Sequence, residues 1–110
     1  MRLLIVLVIG VGLFLLGSCG GPPPEVTPAL VARAQRQTPS VSAESLVRGR
    51  HILLTKCTAC HGVRQPADYS STLWRGYIRE MAPKALLDEG HASDLLQYVL
   101  AAQEQAQDAK

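Results

Sequence analysis

The chain has 110 residues and a formal net charge of +2, from 11 Lys or Arg against 9 Asp or Glu. That length holds one small domain, which excludes a multidomain enzyme and a parallel α/β sheet with several crossovers. The near-neutral charge lacks the clustered basic excess of a nucleic-acid-binding protein, and the 5% aromatic content leaves little for an aromatic core.

The first element is an export signal. Met1 and Arg2 form a short positive start, residues 3–16 are an uncharged apolar run, and Gly17 and Ser18 are small. A secretory signal peptide has an apolar run of roughly 7–15 residues before a small-residue cut, whereas a membrane-spanning helix needs about 20. Leu16-Gly17-Ser18-Cys19 resembles the lipobox of bacterial lipoproteins. The resemblance implies a signal peptide over 1–18, an acylated Cys19 as the new N-terminus, and a periplasmic protein anchored on the outer face of a membrane. Several acyl chains would hold it stably, since each buried CH₂ contributes about 0.8 kcal/mol. The alternatives are an uncleaved anchor and an ordinary secreted cysteine.

Residues 19–40 read as a tether. They carry Gly20, Gly21 and five of the seven prolines: Pro22, Pro23, Pro24, Pro28 and Pro39. Such a segment runs extended at roughly 3.1 Å per residue without packing. A helix over 29–37 would lack a clear apolar stripe. The folded domain is therefore expected over 41–110, with 101–110 a polar helical tail that frays. With the tail set aside, this core falls below the roughly 70–80 residues at which an apolar core usually suffices alone, so a disulfide, metal or cofactor must staple it.

Three helices are predicted in this domain. The first spans about 42–56, capped by Ser42 with Glu44 in its first turn. Leu46, Gly49, Arg50 and Leu53 share one face, and Gly49 costs roughly 1 kcal/mol relative to Ala unless a close helix crossing requires it. The second spans 71–81, with Trp74, Tyr77, Ile78 and Met81 as one apolar stripe; Pro83 ends it. The third runs from Asp88 to about 102 on Leu95, Tyr98, Val99 and Ala102. No segment alternates with period two, so the fold class is all-α, three to four helices. Charge is split along the chain: residues 33–79 are basic and 80–110 acidic.

Between the first two helices stands Cys57-Thr58-Ala59-Cys60-His61. C-x-x-C-H is the attachment motif of c-type haem: two thiols add to the haem vinyl groups, the two-residue spacer presents them together, and the next His reaches the iron. A thioredoxin-like motif would need a βαβ context, and a zinc site would need a fourth ligand such as His51 or His91. A Cys57–Cys60 disulfide would close too small a loop to stabilise much.

Gly49-x-x-Leu-x-x-x-x-Cys57-x-x-Cys60-His61-Gly62 and Leu95-x-x-Tyr98-Val99-Leu100 resemble the first and last helices of small class I monohaem cytochromes c. Trp74-x-x-x-Ile78-x-x-Met81 is similar to a subgroup that serves as haem subunits beside periplasmic dehydrogenases. The resemblance covers about 44–102. It implies a cytochrome c-like fold around one covalent haem c, with the first and last helices crossing at Gly49. The family's Gly-Pro after the motif, whose carbonyl holds the proximal His, is absent; Pro66 stands five residues after His61.

The expected iron ligands are His61 and Met81, the one methionine left after export; His–Met ligation raises the reduction potential and suits electron transfer. Core filling is the plain alternative for Met81, and His91, His51 or an open position are the alternatives at the iron. Trp74 is a candidate to pack on the haem or donate its indole N–H to a propionate, with plain core packing as the equal alternative. Arg64, Arg75 and Arg79 are candidates to pair with propionates or to steer an acidic redox partner, with a solvated face as the plain alternative for each. The expectation is a non-enzymatic single-electron carrier working with a redox protein partner and a membrane, without nucleic acid. A haem subunit of a dehydrogenase and a five-coordinate haem sensor or enzyme are the rivals.

Overall fold

The computed structural model describes residues 21–110; the signal peptide, the lipobox and Cys19 lie outside them. The described chain is all-α. Helix α1 is Pro28–Gln37, α2 is Ala43–Thr55, α3 is Ser71–Lys84 and α4 is Glu89–Asp108, with a short 3₁₀ turn at Pro66–Asp68. No strand occurs among the described residues, and no helix there is long and apolar enough to cross a membrane.

Local chemistry sets the helix starts. Thr27, Ser42, Ser70 and Asp88 each accept a hydrogen bond from a backbone N–H of the first turn, satisfying donors that have no partner within the helix. Ser42 and Ser45 do so reciprocally.

The main packing unit is the crossing of α2 and α4. A Cβ at Gly49 would lie 2.7 Å from the Asp94 carbonyl carbon and 2.9 Å from Tyr98 Cβ, and closer still to the Asp94 oxygen. Only glycine lets the two backbones approach this far, which decides for the close crossing over mere tolerance of the residue. Around the crossing Leu46, Leu53, Leu95, Tyr98 and Val99 are buried, and α3 adds Trp74 and Ile78.

Three expectations are corrected. Residues 22–40 are not a free tether: α1 is helical, Leu30 and Ala34 are buried in the same core, and Pro23 is fully buried. The buried face of α1 is narrow, with Leu30 and Ala34 its two buried positions. Second, α3 continues through Pro83 to Lys84. A proline in the last turn forfeits a single ladder bond, and the Ala85 N–H still reaches the Met81 carbonyl at 2.9 Å. Third, the tail at 101–110 is the last part of α4, with Ala101, Ala102 and Gln103 buried.

The charge split along the sequence closes on itself in space. Arg33 pairs with Glu104 at 2.9 Å and with Asp108, Arg36 reaches Glu104 at 3.3 Å, and Arg48 reaches Asp94 at 2.9 Å. The basic early helices thus dock on the acidic last one.

Candidate functional site

Helix α2 ends at Thr55 with Lys56 as its C-cap, and the chain passes through a series of turns that carry the motif. The Cys57 N–H bonds back to the Ile52 carbonyl at 3.2 Å, and the Thr58 hydroxyl donates to the Leu54 carbonyl at 2.8 Å. These bonds fix the turn to the end of α2. Cys57 is half-buried against the core, while Cys60 and His61 are exposed. Burial pushes the Cys57 thiol above its ordinary pKa. Both cysteines are free thiols.

Facing this turn is α3. It carries two apolar stripes where the sequence suggests one. Trp74 and Ile78 enter the core, whereas Tyr77 and Met81 line a cleft. The cleft has a volume of about 590 Å³, within the roughly 300–1,000 Å³ of small-molecule and cofactor sites. Cys57, Cys60 and His61 line it on one side, Tyr77 and Met81 on the other, and Ala85 and Leu86 at the end of α3. The two thiols, the imidazole and the thioether therefore share a single cavity.

The imidazole is oriented by its neighbour. His61 Nδ1 lies 2.9 Å from the Gly62 carbonyl oxygen. A carbonyl can only accept, so in this bond the proton sits on Nδ1. In the neutral ring Nε2 then keeps its lone pair, as a metal-binding histidine requires. The Pro66 carbonyl is engaged differently, accepting the Trp74 indole N–H at 2.9 Å.

That bond favours the core alternative for Trp74. The residue is 2% exposed, its one donor is used internally, and it does not line the cleft. It belongs to the core, in edge-on contact with Tyr69 at 5.2 Å between centroids. Arg64, Arg75 and Arg79 do not line the cleft either; the cations there are Lys56 and Lys84, with Glu80 between α3 turns. His51 stands on the exposed side of α2, and His91 is held by Asp88 Oδ1 at 2.8 Å in the first turn of α4. Neither joins the cleft. Among the described residues, no group of three or more His, Cys, Asp or Glu side chains converges to hold a metal.

Leu86 was not singled out by its sequence. The hydrogen bonds Leu87 N–H to Ala82 carbonyl, 2.9 Å, and Leu86 N–H to Pro83 carbonyl, 3.2 Å, close α3 in a Schellman motif. Leu86 occupies the left-handed position, φ 58°, where glycine is usual, and is 90% exposed at the cleft. A leucine costs roughly 1–2 kcal/mol there. The proline at 83 and the absence of any glycine between it and Asp88 were the only sequence signals.

The residues present fit a covalent c-type haem. Two thiols with a two-residue spacer can form both thioether links, and the adjacent imidazole and facing thioether are the donors of a His–Met iron. Comparisons with protein-family models, with curated proteins and with solved structures gave no match.

Proposed function

We propose that this protein is a lipid-anchored, periplasmic single-electron carrier with one covalent haem c and a cytochrome c-like fold. The observation that carries the reading is the convergence of Cys57, Cys60, His61 and Met81 on one cleft. Cys57 and Cys60 would hold the haem by thioether bonds, and His61 and Met81 would ligate its iron. When bound, the haem supplies a one-electron ferrous–ferric couple. The protein's own contribution is structural. The Gly62 carbonyl orients the His61 ring, and the apolar surface of Tyr77, Ala85 and Leu86 lowers the local dielectric. Lys84 is paired with Glu80 at 3.3 Å, so Lys56 is the lining cation left to favour approach of an acidic redox partner. The membrane enters through acylated Cys19.

The test is a visible spectrum of the full chain matured with export and haem-attachment machinery. A sharp reduced α-band that survives denaturation and chain separation is expected, with a weak far-red ferric band that Met81→Ala abolishes. A high-spin wild-type spectrum shifted by carbon monoxide would instead indicate a sensor or enzyme, and absence of covalent haem would overturn the reading.

A second reading, a haem subunit of a periplasmic dehydrogenase, is favoured by one feature. Leu73, Tyr77 and Leu86 are exposed apolar side chains on α3 and its end, and exposed apolar groups clustered at a site commonly mark a partner surface. In that case haem absorbance from gently solubilised membranes should elute with a much larger species in gel filtration; elution at the size of the single chain would reject it.

A further inference from the structure

We propose that residues 21–25 form a strap built into the fold, which seats the domain directly against the bilayer that holds Cys19. The inference rests on the lipidation proposed above.

The strap is fastened by its carbonyls. Pro22, Pro23 and Pro24 have no backbone N–H, so the backbone polar groups they bring to the fold are acceptors. Gly21 O accepts from Gln65 Nε2 at 2.6 Å. Pro23 O accepts from Arg50 at 3.1 Å and Pro24 O from Arg50 at 3.0 Å. Pro24 O also accepts from the Tyr98 hydroxyl at 2.6 Å, and Glu25 pairs with Arg50 at 2.9 Å. The Arg50 side chain is only 18% exposed, and Pro23 is fully buried. Three successive prolines are stiff before docking, so little chain entropy is lost when they dock. What reads as a spacer in the sequence is a preformed ligand for Arg50 and Tyr98.

The reach follows from covalent geometry. Only Gly20 separates Cys19 from Gly21, and two peptide steps span at most about 7 Å. A free Pro-rich segment of about twenty residues would reach roughly 60 Å at ~3.1 Å per residue. The acylated residue is therefore confined beside the face that carries Gly21, a shallow groove with Pro22, Pro24, Pro66, Ala102 and Ala106. Its charged group, Asp68, is engaged by the Gln65 backbone N–H at 2.8 Å. That face lies at the headgroups. Gln65 follows His61 by four residues, at most ~14 Å of extended chain, so the cleft is also held near the membrane. The partner it serves would then exchange electrons at the bilayer surface.

Neutron reflectometry of the full, acylated chain on a supported phosphatidylethanolamine–phosphatidylglycerol bilayer tests this. The expected water layer between headgroups and protein is below about 10 Å. A layer of several tens of ångströms overturns the proposal. A twenty-residue Gly–Ser insertion between Gly20 and Gly21 leaves the strap intact and is expected to open a gap of roughly 25 Å; an unchanged profile on insertion also overturns it. Intact mass spectrometry of the same preparation counts the acyl groups. An unacylated Cys19 overturns the proposal at its premise, and is thereby told apart from a lipidated domain that stands off the surface.

Discussion

Gly49 and Trp74 make opposite demands on the space around them. Gly49 has none to give: any Cβ meets the Asp94 carbonyl and Tyr98. Gly49→Ala should gain about 1 kcal/mol of helix propensity, yet lose more to overpacking, which costs about 1–3 kcal/mol and occasionally exceeds it. A net loss in urea denaturation is expected. Trp74 fills its site and also spends its N–H on the Pro66 carbonyl. Trp74→Phe retains most of the packing but leaves that buried acceptor alone, a loss of roughly 1–3 kcal/mol. The spectrum of the haem-loaded variant should not change, because the side chain does not line the cleft; an altered ferric spectrum would return Trp74 to the site. Tyr98 is a third case. Burial pushes its hydroxyl up to about 12, against the opposing pull of Arg50. The folded state thus holds this proton where an exposed tyrosine, pKa about 10, has lost it. Its contribution is complete below that value and is lost as pH rises through about 12. Tyr98→Phe should flatten that part of the alkaline unfolding curve, at a cost near 1 kcal/mol at neutral pH from the lost Pro24 hydrogen bond.

At the scale of elements, the two ends of the helical chain are where tertiary contacts act most. The docking of α1 on α4 is clamped by Glu104. Burial pushes its carboxyl up, but hydrogen bonds from Gln37, Arg36 and Arg33 together hold it below the ordinary carboxylate value. That contribution is present above the ordinary carboxylate pKa and disappears as pH falls through the lowered one. Protection factors of the α1 amides, corrected for the intrinsic pH dependence of exchange, should fall in acid, and Glu104→Gln should leave them low and unchanged with pH in that range. The effect is modest, since such partly exposed pairs contribute up to about 1 kcal/mol. The end of α3 carries a different cost. Leu86→Gly relieves the left-handed strain while removing a side chain that is 90% exposed. A gain of about 1 kcal/mol is expected in thermal unfolding. A loss would mean that the leucine packs against something in the folded protein that offsets its backbone cost.

For the whole molecule, the domain begins earlier than residue 41. Pro23, Leu30 and Ala34 are core residues, and burying a leucine fully is a matter of roughly 2–5 kcal/mol when the side chain is lost. A chain starting at residue 41 should therefore unfold at much lower urea than one starting at 21. Equal stabilities would show that the strap and α1 contribute nothing.

The sequence by itself determined the helical class, the starts of α2, α3 and α4, a glycine inside α2 that called for a close neighbour, and the C-x-x-C-H spacing. Each of these is local: capping residues act within one turn, apolar periodicity is read within one helix, and C-x-x-C-H is a pattern of neighbours along the chain. The tertiary structure decided everything that depends on which face meets which. It divided the single stripe of α3 into a core pair, Trp74 and Ile78, and a cleft pair, Tyr77 and Met81. It chose Lys56 and Lys84 rather than the arginines for the cleft, and turned a proline-rich segment into part of the core. Composition describes what a segment can do when free. It cannot register that Arg50 and Tyr98, far along the chain, present donors at the one place where a run of prolines offers only acceptors.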